Sequence, residues 1–528
     1  MVSKRFDPAK APLWLALGFL LVFVFVPLAA LAYGTVAGPD GFTLDAWRAL
    51  FDDDKAQTQL LASLRLGVAA TALSALLGAG HAWLTCVCRL PGRRWLAPLG
   101  VAPLAVPPIF VAMGFTDFFG DVSGFWPCAL LLGVAHAPFV AVLAARGLRA
   151  ADGRAYEAAL LLRGRGPADR MLLRSVMPEL LAGCLLAFLF TVADHGVPEF
   201  LTVKGKTWHT YAEGIFSRWT RRAVGTTFAE LQAPIVAALP FVVGLGCLLW
   251  AALRLRAGAP DRGVVRPVPA QELGRWRWPA LLLPLVYLGA GIVLPVVVLV
   301  RWVFGSAQRR EPMGLDYARE SWAKAMDQGL PDLLHSLWLA LAVGALVVLL
   351  AIPLARQSAR RWPFLDVLAA MPAAMPAILL GISLVHTFNA FELRDGWPFA
   401  AAGYAARLLP FAAITLAAQV RRQPLAAEEA GRFVPRSATA RGLRLHVAPL
   451  LPAAWSAFVL TFVLALRELD LAVVLPAANA TAVRRLANAV HFQHEDWSGV
   501  IALLILSFAV LMPLIPSLLL GRRPTSLS

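Results

Sequence analysis

The chain has 528 residues, of which 59% are hydrophobic and only 15% charged, and its mean hydropathy is +0.67. A soluble protein of this length needs more charge than that to cover its surface, so the composition excludes a soluble globular protein. A net charge of +16 is compatible with nucleic-acid binding, but no basic stripe with stacking aromatic residues accompanies it. We therefore expect an all-α polytopic membrane protein with no nucleic-acid partner.

Apolar runs long enough to cross about 30 Å of hydrocarbon recur along the whole chain. We predict twelve spans, at residues 12–34, 60–87, 96–115, 126–145, 179–201, 231–253, 278–303, 333–355, 366–388, 397–418, 450–475 and 499–520. Lys and Arg concentrate in the loops that this topology places in the cytoplasm, and this bias places both termini there. A cleaved signal peptide is the alternative for the first run, but the run is longer than a signal core and favours a retained span.

Landmarks of the first half recur in the second half with a nearly constant offset. They are a Leu-Leu-x-Ser-Leu run at 60–64 and 333–337, a short basic loop at 91–95 and 360–363, and paired prolines at Pro103 and Pro107 and at Pro372 and Pro376. This parallel repeat predicts two fused six-span domains, 1–255 and 278–528. The Pro/Gly/Arg-rich linker 256–277 is expected to be a solvated cytoplasmic tether. The paired prolines predict a kinked third span in each half, either beside a conduction path or as a packing irregularity.

A polar pattern follows the fourth span of each half, and its two copies lie 271 residues apart. The first copy contains Glu157, Ala158, Ala159, Gly164, Gly166 and Pro178, and the second contains Glu428, Glu429, Ala430, Gly431 and Pro449. Each predicts a short helix, a Gly or Pro break and a basic amphipathic segment. Small residues allow close approach of a partner, and an apolar helix side can bury in a partner's groove. Glu157 and Glu428 are expected at the helix N-termini, where each caps its helix or pairs with a partner's arginine. The alternative is an ordinary basic loop.

These loops resemble the cytoplasmic signature of inner-membrane permeases of bacterial binding-protein-dependent ABC importers. That signature reads Glu-Ala-Ala, three residues, Gly, nine residues and Ile-x-Leu-Pro; here the first glycine is displaced to Gly164 or Gly166, and Pro435 stands where the second is expected. The two-half layout is most similar to the fused permeases of ferric-iron importers. The resemblance implies that the loops are coupling helices, which dock onto two copies of a cytoplasmic ATP-binding subunit. It also implies a periplasmic solute-binding protein, a location in the bacterial inner membrane and, at family level, ferric iron as the solute.

Charged residues cluster at the ends of the fifth and eleventh predicted spans. They are Asp194, His195 and Glu199 in the first half and Arg467, Glu468 and Asp470 in the second. An ionisable group inside a span costs about 2.5–3.5 kcal/mol on insertion scales, so it usually faces a cavity or a partner. We predict that the six residues line the translocation path or its outer gate, where acidic groups suit a cation and Arg467 suits an anion. The alternative is an internal salt bridge, such as Arg467 with Asp194, that holds the halves together.

Sequence motifs for chemistry on this chain are weak. Gly205-Lys206-Thr207 copies only the end of a phosphate-binding loop, because Phe200 stands where its first glycine is required. We therefore expect no catalytic residues and no cofactor on this chain, with ATP bound by the partner subunit. His491 and His494 have the spacing of a metal site, but a loop that contacts the binding protein is the favoured interpretation, so no metal is predicted.

The sequence thus favours the permease subunit of an ATP-driven importer. The alternative is a twelve-span secondary transporter driven by an ion gradient, for which Arg93-Arg94 and Arg360-Arg361 are only faint loop signals. A membrane-embedded enzyme or scaffold is a third interpretation, and it lacks paired catalytic groups.

Overall fold

The computed structural model describes residues 11–38, 41–120, 122–201, 208–220, 266–305, 314–389, 395–423, 447–476, 480–489 and 497–512, with isolated positions at 242, 243, 246, 429 and 433. Helices dominate these residues, which confirms the all-α prediction. The β-structure of the described ranges is an antiparallel hairpin of two-residue strands, β1 (Ala37–Gly38) and β2 (Gly41–Phe42), and one isolated bridge between Cys88 and Gln271.

Helices of the first half follow the predicted order. They are α1 (Ala11–Gly34), α2 (Asp45–Asp52), α3 (Asp54–Cys86), α4 (Arg93–Leu99), α5 (Pro108–Phe119), α6 (Phe125–Ala150), α7 (Gly153–Arg163), α8 (Arg165–Ala193), α9 (Gly196–Phe200) and α10 (Tyr211–Thr220). A 3₁₀ turn, Ala102–Ala105, extends the α4 segment.

Helices of the second half have a similar succession of lengths. They are α11 (Gly274–Phe304), α12 (Gly314–Arg360), α13 (Phe364–Ala374), α14 (Ala377–Thr387), α15 (Trp397–Arg422), α16 (Leu451–Leu466), α17 (Asp470–Val474), α18 (Ala482–Asn488) and α19 (Ser498–Leu511). The central helices α6 and α15 both have 26 residues, and α9 and α17 both have five.

Eight helices in the described residues are long and apolar enough to cross a membrane, and two bent pairs raise the number to ten. The predicted span 231–253 lies outside the described residues, apart from isolated positions, and α19 has only 14 described residues. A multi-pass membrane protein is therefore supported, whereas the twelve-span count and the two domain boundaries stay predictions.

The third predicted span of each half is a sharply bent helix pair, not one continuous helix. The α4 segment meets α5 at 96°, and α13 meets α14 at the same angle. Val106 and Met375, which precede Pro107 and Pro376, have ψ angles of 120° and 137°. A residue before proline is driven towards this extended conformation, so the helix ends there. The kink predicted from the prolines is confirmed, and each of the spans predicted at 96–115 and 366–388 is broken into two helices just before its second proline.

Two other prolines locally widen the helices in which they lie. Pro27 in α1 follows a π-helical turn at Leu21–Phe25, and Pro295 in α11 follows one at Gly289–Val293. Proline cannot donate the usual backbone hydrogen bond, and a π turn is one way in which a helix absorbs this loss without breaking.

The first helix of each half packs against the other half. The Phe23 ring of α1 stacks on Phe388, which directly follows α14, with ring centroids 5.7 Å apart. From α11, the Tyr287 hydroxyl donates a hydrogen bond of 2.7 Å to the carbonyl of Gly100 between α4 and α5. Pro295 of α11 leaves so little room that a Cβ on Gly114 of α5 would lie 3.2 Å from its Cα. This reciprocal exchange of first helices joins the two halves at two places.

Candidate functional site

The first predicted coupling loop contains a short separate helix, α7. α7 begins after Asp152, whose side chain accepts a hydrogen bond of 3.0 Å from the amide of Arg154. α7 ends at Gly164, which has a φ of +77° that favours glycine. The predicted break is therefore at Gly164, whereas Gly166 lies in the first turn of α8.

Glu157 and Pro178 occupy other places than the sequence indicated. Glu157 is the fifth residue of α7 and does not cap it; its carboxylate lies 3.5 Å from the guanidinium of Arg266 in the same chain. This pair is largely exposed and contributes little to stability. Pro178 lies inside α8, which runs unbroken from Arg165 to Ala193, so the span predicted at 179–201 begins earlier and ends earlier.

The two sides of α7 differ in exposure. Tyr156 is buried and Ala159 packs against a separate apolar cluster formed by the ends of α3, α6 and α8. Ala158 is exposed, and Leu161 and Leu162 expose 87% and 83% of their surface. α7 is thus anchored on one side and presents apolar side chains on the other.

Most of the second predicted coupling loop falls outside the described residues, including Glu428, Ala430 and Gly431. Glu429 is described as an isolated exposed position. Pro449 lies in a 3₁₀ turn, Ala448–Leu450, that leads into α16.

The charge cluster of the first half lies at a break between two helices. α8 ends at Ala193, and Asp194 is extended, so the short helix α9 starts anew at Gly196. The Asp194 carboxylate accepts a hydrogen bond of 2.9 Å from the amide of Val197, in the first turn of α9. The structure therefore explains Asp194 as a group that satisfies a free helix amide.

The charge cluster of the second half has the same construction. α16 ends at Leu466, α17 begins at Asp470, and the carboxylate of Glu468 accepts a hydrogen bond of 3.2 Å from the amide of Leu471. Arg467 donates a hydrogen bond of 2.8 Å to the carbonyl of Leu104 in the first half. Its guanidinium also lies 5.8 Å from the centre of the Phe139 ring, a cation–π distance.

The two clusters meet through His195 and Asp470, and we call the place where they meet the central contact. His195 Nδ1 lies 2.5 Å from Asp470 Oδ1, and His195 Nε2 lies 3.9 Å from a carboxylate oxygen of Glu199. Five of the six predicted residues make such contacts. Asp194 and Glu468 each accept a hydrogen bond from the short helix that follows a helix break, whereas His195, Arg467 and Asp470 contact the other half. The alternative pairing of Arg467 with Asp194 is not the hydrogen-bonded pair observed here. Arg467 donates to a backbone carbonyl, and His195 pairs with Asp470 between the clusters.

Sequence reasoning missed Arg407 of α15, which is only 2% exposed. Its guanidinium donates hydrogen bonds to the carbonyls of Pro372, Ala373 and Met375, at 3.1, 3.4 and 2.5 Å, where α13 ends. It also lies 5.3 Å from the centre of the Phe190 ring. A single arginine inside the apolar run 397–418 was the available signal, since a charge at that depth needs a specific partner.

A small cavity of about 40 Å³ lies between the two charge clusters and the first proline break. Its lining includes the charged groups Asp194, Arg467, Glu468 and Asp470 together with His136. This volume holds about one water molecule and no larger solute. Aromatic rings close the neighbouring space, since Phe190 stacks on Phe139 at 4.8 Å. The central contact is therefore shut in this structure.

No family model matches the chain. Among curated proteins, it is similar to the molybdenum transport system permease protein ModB of Mycobacterium bovis and to that of Mycobacterium tuberculosis. Each is 29% identical over 210 residues, which cover 36% of this chain and 76% of the relative. This similarity supports an inner-membrane permease of an ABC importer. It indicates a multi-pass transport subunit, not the subunit that hydrolyses ATP.

The expectation of ferric iron as the solute gains no support, because both relatives are named for molybdenum transport. The resemblance to a fused ferric-iron permease is likewise not confirmed.

Proposed function

We propose that this chain is the membrane-spanning permease subunit of an ATP-driven importer. α7 and the loop around Glu428 dock onto two copies of a cytoplasmic ATP-binding subunit, and a periplasmic binding protein delivers the solute. The bacterial inner membrane holds the chain with both termini in the cytoplasm. The observation that carries this proposal is α7, a short helix anchored on one side and apolar on its exposed side.

Leu161 and Leu162 make α7 a docking surface. Adjacent leucines that are almost fully exposed at a water-facing end of a bundle are unfavourable by about 25 cal/mol per Å² of apolar surface. Such surface usually marks a protein interface. A groove on another subunit would bury both side chains, as in helix-in-groove recognition.

The length of the relatives supports two permease units in one chain. The same aligned stretch is 36% of this chain but 76% of each relative, so each relative is about half as long. Two proline breaks with the same 96° bend, one in each half, also favour this arrangement.

For the solute we propose a small oxyanion of the molybdate type. The relatives are named for molybdenum transport, and two buried guanidiniums, those of Arg407 and Arg467, lie beside the central contact. Guanidinium groups bind oxyanions with paired, charge-assisted hydrogen bonds. In this closed state the acidic residues contact helix amides or His195, and both guanidiniums donate to backbone carbonyls, so the oxyanion would bind only after the central contact opens.

The docking proposal predicts that Leu161→Ala with Leu162→Ala weakens binding of the ATP-binding subunit that copurifies with the wild-type chain. Losing two buried leucines at an interface should lower affinity at least tenfold. Binding is measured on the purified protein in detergent, and ATP-driven uptake in vesicles should fall with it. The matched control is Leu282→Ala with Leu285→Ala, two exposed leucines of α11 within the predicted span 278–303. Equal binding by both double variants would contradict docking through α7.

Uptake assays with molybdate and with ferric iron separate the cargo proposals. We expect ATP-dependent molybdate uptake by the reconstituted complex. Uptake of ferric iron alone would overturn the oxyanion proposal, and uptake that follows an ion gradient without ATP would favour the secondary transporter.

A further inference from the structure

The end of the interdomain linker is docked against α7, although its composition predicted a solvated tether. Residues 266–272, here called the strap, pair with the backbone of the first half. The amide of Gln271 donates to the carbonyl of Val87 at 2.8 Å, and the amide of Arg89 donates to the carbonyl of Gln271 at 2.9 Å. At the other end of the strap, the amide of Gly153 donates to the carbonyl of Arg266 at 2.9 Å.

The side chain of Gln271 binds three groups around the base of α7. Its amide nitrogen donates to the Tyr156 hydroxyl at 2.6 Å and to the Asp169 carboxylate at 2.7 Å. Its amide oxygen accepts a hydrogen bond of 2.8 Å from Arg165. All the hydrogen-bonding capacity of the amide nitrogen is used, and the partners belong to both α7 and α8.

Tyr156 completes this network. Its hydroxyl accepts from Gln271 and donates to Asp169 at 2.8 Å. Burial, together with the hydrogen bond to Asp169, raises the pKa of Tyr156 to about 12. The hydroxyl therefore stays protonated, and able to donate, throughout the physiological pH range.

Close packing accompanies these hydrogen bonds. Val268 packs against the apolar cluster that holds Tyr156 and the ends of α3, α6 and α8. At the first residue of α7, a Cβ on Gly153 would lie 2.8 Å from the carbonyl carbon of Pro267. The strap thus approaches α7 as closely as a glycine permits.

We propose that the strap fixes the position of α7 on the first half, with Gln271 as the positioning residue. The loop after α3, the start of α7 and the start of α8 then move as one body when a partner pushes on α7. A displacement of α7 is then transmitted to α3 and α8, because the strap prevents α7 from moving separately from them. This inference rests on the proposed role of α7 in docking the ATP-binding subunit.

The test uses Gln271→Leu in the full chain, which removes the side-chain hydrogen bonds and keeps a similar volume. We expect amide hydrogen exchange in residues 153–163 to accelerate about tenfold, the effect of losing on the order of one net hydrogen bond from the anchored state. The matched control is Glu272→Ala on the next residue, whose 2.5 Å contact with Arg89 is exposed and should leave exchange nearly unchanged. Equal rates of amide exchange in the two variants would overturn the proposal that the strap fixes α7.

A second measurement separates positioning from general stability. In the reconstituted complex, Gln271→Leu should lower the solute transported per ATP hydrolysed several-fold, while ATPase binding and hydrolysis persist. An unchanged ratio overturns the positioning role. If the wild-type chain binds no ATP-binding subunit, the proposed function fails, yet the exchange result still decides whether the strap holds α7.

A third variant covers the case in which Gln271→Leu does not fold. Tyr156→Phe removes the hydroxyl at the centre of the same network and should accelerate exchange in residues 153–163 in the same way. Where Gln271→Leu does fold, the double variant should exchange hardly faster than either single variant, because both substitutions break one network. Independent, additive effects contradict a shared network.

Discussion

Arg407 and Arg467 supply hydrogen-bond donors to backbone carbonyls that prolines leave without their usual partner. In a continuous helix the carbonyl of Leu104 would accept from residue 108, and that of Pro372 would accept from residue 376. Both of those residues are prolines, so no amide is available. Arg467 donates to Leu104, and Arg407 donates to Pro372 and its neighbours. An unsatisfied carbonyl is costly at membrane depth, which explains why a charged side chain is placed there.

Substituting Arg407 should therefore destabilise the fold before it affects any solute. We expect Arg407→Met to lower the free energy of unfolding by about 1–3 kcal/mol, because the carbonyls of Ala373 and Met375 lose the Arg407 donor, whereas that of Pro372 keeps the Met375 amide. Thermal unfolding in detergent measures this effect. Arg319→Met is the control, since Arg319 is exposed and lies 3.5 Å from the likewise exposed carboxylate of Asp316, one turn away. An equal, small effect of both substitutions would show that the carbonyls do not need Arg407.

Sequence alone predicted the location of the central residues better than their partners. Asp194, His195, Glu468 and Asp470 stand out in the sequence because a charge within an apolar run is costly wherever it lies, and in the structure they lie at the two helix breaks. Their contacts depend on where two helices break, and neither the 2.5 Å approach of His195 to Asp470 nor the binding of Arg467 to a carbonyl follows from spacing. Partners separated by hundreds of residues are set by tertiary packing.

At the scale of helices, small residues set how closely the central helices pack. On α3, a Cβ built on Gly78 would lie 2.8 Å from the backbone nitrogen of Ala141 in α6. On α8, a Cβ on Gly183 would lie 2.8 Å from the Cα of Val140 in the same helix α6. Membrane helices associate closely where small residues let their backbones approach, so these glycines fix the position of α6.

Gly78→Ala should separate α3 from α6 and lower stability by about 1–3 kcal/mol, as overpacking does in other tight interiors. The matched control is Gly18→Ala in α1, where an added Cβ meets nothing within 4 Å and alanine has the higher helix propensity. Unfolding of both variants in the same detergent measures the difference. If Gly78→Ala is as stable as Gly18→Ala, close packing of α3 on α6 at Gly78 does not contribute to stability.

Element boundaries were predictable where hydropathy changes and not where amphipathic helices continue. The starts of α6 and α15 match their predicted spans within a residue, whereas α8 and α12 begin well before their apolar stretches. A basic amphipathic segment that joins an apolar one can extend the same helix beyond the hydrocarbon, and hydropathy does not register that extension. The bends were predictable because proline fixes its own φ and restricts the preceding residue.

At the scale of the whole molecule, the exchange of first helices joins the two halves independently of the linker. Sequence could not show it, because α1 and most of α11 are apolar on all sides, and the pairing of Arg301 in α11 with Asp117 of the first half does not follow from spacing. The docked strap was missed for a related reason. Its Pro and Arg content is typical of a tether, and the decisive Gln271 has no distinctive sequence signal.

A protease site inserted within residues 256–265 tests this exchange. After cleavage, the two fragments should stay together in mild detergent, because α1 and α11 each remain packed on the other fragment and the strap remains docked. Copurification through a tag on one fragment measures this. Cleavage followed by a denaturing detergent is the control and should release the fragments. Separation in mild detergent would contradict the exchange.

Joining both halves in one polypeptide also frees the two sides of the central contact to differ. Arg407 is the eleventh residue of the 26-residue helix α15, and the eleventh residue of the equally long α6 is Ala135. A homodimer would place two guanidiniums face to face and incur their mutual repulsion at low dielectric. A chain with two unlike halves can carry that arginine on one side alone. Both buried arginines of the central contact, Arg407 and Arg467, come from the second half, an arrangement that no pair of identical subunits related by a two-fold axis can have.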